Sequence, residues 1–126
     1  MTSDILDVQL SDDGVATLTM NRPEKRNAMN DALLAALDGF FSAPPEGVRA
    51  VVLTGSGGHF CAGLDLAEHK VRNAEETMRH SRGWHRVMDQ IQFGGLPVVS
   101  AMFGAVIGGG LELATATHVR IAEPST

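Results

Sequence analysis

From Ala101 to Ala114 the chain runs through an apolar segment, then three consecutive glycines, Gly108, Gly109 and Gly110, then Leu111 and Glu112. No other stretch constrains the fold as strongly. Glycine loses more backbone freedom on folding than any other residue, so a run of three marks a sharp turn or a place where something must approach the backbone closely. Leu111 to Ala116 reads as a short helix. Its start places the amides of Gly109 and Gly110 among the unsatisfied first-turn donors, at the positive end of the helix dipole, where an oxyanion can be held. Glu112 stands just inside that turn, where a carboxylate can act as general acid or base on whatever the amides polarise. The same residues also fit a tight strand-to-helix turn with Glu112 as a favourable N-terminal charge. This stretch alone leaves both readings open. Neither G-x-G-x-x-G nor G-x-x-x-x-G-K-[ST] occurs, so neither nucleotide signature is met.

With 126 residues, 44% hydrophobic and 20% charged, the chain has the size and balance of a single globular domain. No apolar run reaches the roughly 18 residues of a spanning helix, and the N-terminus lacks the basic start and apolar core of a signal peptide. The expectation is a cytoplasmic protein without a membrane partner. Its single cysteine, Cys61, allows no intrachain disulfide and no cysteine-built metal site. His69, His80 and His85 have no carboxylate or cysteine at ligand spacing, so no metal is expected. A net charge of -5 speaks against nucleic acid as the main partner.

Two alternating runs, Ile5 to Leu10 and Val15 to Met20, flank Ser11-Asp12-Asp13-Gly14 and predict an antiparallel hairpin. The loop after it, broken by Pro23, concentrates Arg22, Lys25 and Arg26; on charge alone it reads as a solvated turn. Leu33, Leu34, Leu37, Phe40 and Phe41 recur at helical spacing behind Asn30, a fitting cap, and the helix ends near Pro44. Val48 to Thr54 reads as a strand buried on both faces. It leads into a second glycine-rich loop, Gly55 to Leu66, in the position where open α/β sheets bind ligands. His59 and Cys61 in this loop are assigned no chemistry. Asn73 to Phe93 is a long amphipathic helix, Val98 to Met102 a second buried strand, and His118 to Ala122 a last one. If the strands before the two glycine loops are neighbours, backbone amides from both loops can converge on one oxygen.

Three linked stretches then resemble the enoyl-CoA hydratase/isomerase (crotonase) family in order and spacing. They are Asn21 to Met29, Phe60 to Leu66, and Gly104 to Ala114. The resemblance implies an α/β fold, a crotonase-like spiral of β-β-α units, incomplete at the C-terminus. Residues 1–126 would then be the N-terminal portion of a single such domain. It implies a coenzyme A thioester as substrate, with no further cofactor. The most fitting reaction is hydration of a trans-2-enoyl-CoA to a 3-hydroxyacyl-CoA through an enolate held in an oxyanion hole. Isomerase, hydrolase and lyase activities of the same fold are the alternatives, as is a non-catalytic acyl-CoA-binding or oligomerisation module.

Residue by residue, the resemblance implies Ala62 and Gly109 as the two amide donors and Glu112 as a catalytic carboxylate. It implies coenzyme A contacts for Arg22, Lys25, Arg26, Ala28, Phe60, Ala62, Gly63, Asp65, Gly108 and Gly109, with Asp65 also read as structural. The second hydratase glutamate would fall beyond Thr126, and the intact protein is expected to be a trimer or a dimer of trimers.

Overall fold

The computed structural model describes residues 3–126. The hairpin is present as β1 (Leu6–Leu10) and β2 (Val15–Met20), antiparallel and in register from Leu6 opposite Met20 to Leu10 opposite Ala16. After a 3₁₀ turn at Pro23–Lys25 comes α1 (Asp31–Ser42), whose first turn is capped by Asn30 accepting from the Leu33 amide at 2.8 Å. There follow β3 (Ala50–Gly55), a short α2 (Leu66–His69) and α3 (Ala74–Phe93). Asn73 lies just outside α3 and forms a reciprocal capping box with Glu76. Then come β4 (Val98–Met102), α4 (Gly109–Ala116) and β5 (Val119–Ala122).

The strands form one sheet in the order β1-β2-β3-β4-β5, antiparallel only at the first pairing and parallel thereafter. Each parallel step requires a crossover, and α1 and α3 supply those around β3. Ala16, Leu18 and Met20 of β2, Val51 and Leu53 of β3, and Val98 of β4 point to one face, where they join Leu33, Leu37 and Phe40 of α1 and Trp84, Val87 and Ile91 of α3 in a single core. Fully burying a large apolar side chain is worth about 1.5–3 kcal/mol before entropy is counted, so this face anchors the sheet.

The strands differ from expectation on their other face. Val15, Thr17 and Thr19, then Ala50, Val52 and Thr54, then Val99 and Ala101 remain half-buried, while every residue of β5 is exposed. Val48 to Thr54 is therefore buried on one face only among the described residues. A β-branched run looks alike whether one or two layers cover it, because its composition reports strand propensity before burial. Among the described residues no helix is long and apolar enough to cross a membrane.

Candidate active site

The two glycine loops leave neighbouring strands. Because β3 and β4 are parallel, with Val51 opposite Val98 and Leu53 opposite Ser100, both loops emerge from the same end of the sheet. They then pair with each other. Phe60 donates to the Phe103 carbonyl at 2.9 Å, Cys61 to Ala105 at 3.0 Å, and Ile107 back to Cys61 at 3.2 Å. His59 has a structural part in this seam, its Nδ1 accepting from the Ala105 amide at 2.8 Å. Cys61 is fully buried, and burial pushes its thiol pKa up, so it packs rather than reacts.

On its other side the first loop lies against the segment after the 3₁₀ turn. Ala62 donates to the Arg26 carbonyl at 3.0 Å, Met29 to Gly63 at 2.7 Å, and Asp65 to Met29 at 2.9 Å. An amide bound in this way has no hydrogen left for a substrate oxygen, so the donor role expected of Ala62 does not fit the geometry. Extended backbone presents successive amides to opposite sides. With Asp65 facing Met29, the Leu64 amide faces away, and it makes no hydrogen bond among the described residues. Leu64 borders Gly109 directly: a Cβ built on Gly109 would lie 3.5 Å from Leu64 Cδ2.

Gly109 opens α4, and its amide likewise has no acceptor among the described residues. The Gly110 amide, by contrast, donates to the Ile107 carbonyl at 2.8 Å. The helix is preceded by Gly108 at φ 54°, ψ −118°, a conformation open in practice only to glycine. Leu64 and Gly109, whose amides have no acceptor among the described residues, thus lie on loops that touch, and a Cβ built on Gly63 would lie 3.7 Å from the Gly109 nitrogen. Glu112 follows one helical turn later, with its Oε2 accepting from Trp84 Nε1 at 2.7 Å. Sequence reasoning missed this partner, which lies 28 positions away on α3.

The basic loop divides. Lys25 and Arg26 are exposed and form no ion pair among the described residues. Arg22 is largely buried, donating to the Ala28 carbonyl at 2.5 Å and to Asp65 Oδ2 at 3.1 Å. Its guanidinium therefore holds the loops together. Asp65 is engaged likewise, capping α2 through the amides of Ala67 and Glu68. The side chain of Phe60 is wholly in the core and offers a ligand no surface. Asn27, also fully buried, completes the scaffold: it accepts from the Arg22 amide at 2.8 Å and donates to the carbonyls of Ser56 and His59.

Burial alone would raise the Asp65 pKa, but the Arg22 guanidinium and the Glu68 and Ala67 amides outweigh it and set it below the usual carboxylate range. A carboxylate depressed in the folded state stabilises the fold above its unfolded pKa, and that contribution is lost as pH falls through the folded value. The thermal midpoint should therefore drop more steeply on acidification below about pH 4 in the unsubstituted protein than in Asp65→Asn. Parallel melting curves would show that the Arg22–Asp65 pair does not couple to folding.

A largely parallel sheet whose adjacent strand ends carry two interlocked loops, with a glycine-opened helix against them, is the crotonase type of α/β fold. The model of the Enoyl-CoA hydratase/isomerase family matches residues 11–126, and the chain belongs to that family. It is 38% identical over 117 residues to a Mycobacterium leprae (strain TN) protein named as a probable enoyl-CoA hydratase, covering 89% of this chain and 45% of that protein. A crystal structure assigned to the enoyl-CoA hydratases, from Rhodopseudomonas palustris CGA009, superposes with a TM-score of 0.91 at 52% identity, covering 97% of this chain and 47% of that one. The enoyl-CoA hydratase of Bacillus anthracis gives a TM-score of 0.87 at 31% identity, covering 94% of this chain and 47% of that one. The chain thus spans about half the length of the proteins it matches.

Proposed function

We propose that this chain carries the thioester-activating half of an enoyl-CoA hydratase site. The observation that supports the reading is the pair of open amides at Leu64 and Gly109 beside Glu112. Members of this family act on acyl-CoA substrates, whose thioester carbonyl gathers negative charge as an enolate forms. Fixed backbone amides stabilise that charge without reorganising, and losing one such donor typically costs about 100- to 1,000-fold in rate. Gly109 and Leu64 take the thioester oxygen, and Glu112 activates the water that adds to the β-carbon. Lys25 and Arg26, exposed and without an ion pair among the described residues, meet the phosphates of coenzyme A. Coenzyme A is here part of the substrate, and the reading invokes no other cofactor.

The test follows crotonyl-CoA with the chain by itself and with any longer protein that carries it. Hydration removes the conjugated enoyl absorbance and adds the mass of one water to the thioester. A shifted double bond at unchanged mass would replace the reading with an isomerase, and a free coenzyme A thiol with a hydrolase. Binding without any turnover would leave a non-catalytic acyl-CoA module.

A further inference from the structure

We infer that Trp84 is a positioning residue that sets both the carboxylate and the oxyanion amide of this site; the inference rests on the reading of Glu112 and Gly109 given above. Trp84 is 5% exposed and sits on α3 one turn before Val87, which is buried with it in the core. Its indole carries a single donor, Nε1–H, and that donor is committed to Glu112 Oε2 at 2.7 Å. Glu112 Oε1 has no hydrogen-bond partner among the described residues, so one oxygen is held and the other is free to work. A bond from a neutral donor to an ionised acceptor is among the stronger kinds, which suits it to holding an exposed carboxylate in one rotamer.

The other end of the same ring lies under Gly109. A Cβ at that position would meet Trp84 Cη2 at 3.2 Å and Cζ2 at 3.4 Å, tighter than ordinary van der Waals contact. One rigid ring therefore fills the space next to the Gly109 backbone, leaving no room for a side chain there, and also holds the Glu112 carboxylate. Rotating it would break the bond to Glu112 and empty the space beside Gly109 at once. The plate is itself braced from outside: His80 stacks on it with centroids 6.4 Å apart and planes 27° apart, and His69 meets His80 edge-on at 5.9 Å. Small errors of placement are costly here, since a misplacement of about 1 Å can lower a rate by about 100-fold.

Trp84→Phe keeps an aromatic ring in the core but removes both the Nε1–H donor and the outer indole atoms, Cη2 and Cζ2, that lie against Gly109. In the hydrating protein it should lower kcat by about 10- to 100-fold while KM for crotonyl-CoA stays within about twofold, the split expected when a transition-state arrangement is lost and binding is not. A second readout is independent of turnover. Trp84 is the single tryptophan of the chain, so its indole N–H resonance is identified by its disappearance in Trp84→Phe. That resonance should move upfield in Glu112→Gln, where a neutral amide oxygen replaces the carboxylate.

Unchanged kcat in a folded Trp84→Phe protein whose turnover still depends on Glu112 would overturn the inference. So would an indole resonance that Glu112→Gln does not move, and that measurement decides the matter if Trp84→Phe fails to fold. Should the unsubstituted protein not hydrate crotonyl-CoA at all, the hydratase reading falls, while the resonance still reports whether Trp84 holds Glu112.

Discussion

Glu112→Gln should cut the hydration of crotonyl-CoA by about 100- to 10,000-fold, the range over which a positioned acid or base contributes. The substitution isolates chemistry from architecture. Glutamine has the same length and branching, and its side-chain oxygen can still accept from Trp84 Nε1, as Glu112 Oε2 does at 2.7 Å. Position 112 lies in the exposed face of the first turns of α4, so no core contact changes. What disappears, on the function proposed above, is the capacity to take a proton from water and return it. Affinity for butyryl-CoA, which has the thioester but no double bond to hydrate, should change less than about twofold by calorimetry, because the amides of Leu64 and Gly109 are untouched. Turnover within a few-fold of the unsubstituted rate would remove Glu112 from the mechanism.

The second large effect is structural and falls two residues earlier. Gly110→Ala should lower stability by about 2–4 kcal/mol and abolish the assembled site. A Cβ at Gly110 would lie 2.1 Å from the Cys61 carbonyl oxygen and 2.9 Å from its carbon. These are backbone atoms, and the same carbonyl receives the Ile107 amide at 3.2 Å, so neither loop can retreat without breaking the seam between them. Relief comes only by moving α4 away, which carries the Gly109 amide and Glu112 with it. Gly39→Ala provides the contrast. That glycine is exposed inside α1 with nothing within 4 Å of an added Cβ, and alanine there should raise stability by about 0.5–1 kcal/mol. Thermal melts of the two variants should therefore shift in opposite directions. A Gly110→Ala protein as stable as its parent would mean that the loops are not locked in this register.

The basic loop shows how charge in sequence and charge in space differ. Arg22, Lys25 and Arg26 are alike by composition, yet only the last two remain exposed. Arg22 pairs with Asp65, 43 positions away, and the pairing is created by the fold. The amides around Gly63 differ for a similar reason. Ala62 and Leu64 flank Gly63 symmetrically in sequence, and which amide is open depends on the strand-like contact with Arg26 to Met29. Helix α2 is not predicted from periodicity, although Asp65 followed three positions later by Glu68 is a recognisable N-terminal signal. At four residues it adds too little periodicity to stand out from a loop.

The elements whose cause is local were determined by sequence: the hairpin around Ser11 to Gly14, the capped apolar stripes of α1 and α3, and the glycine turn before Glu112. Each follows from propensity, periodicity or steric permission acting over a few residues. The tertiary structure decided what depends on groups far apart in the chain. It spent the Ala62 amide and the Arg22 guanidinium on holding loops together, left Leu64 and Gly109 open, covered one face of the sheet, and brought Trp84 under the site. The physical reason is that a backbone amide or a charged side chain is available for chemistry only if no nearer partner claims it. Its partners are set by packing across the sheet, not by its neighbours in sequence.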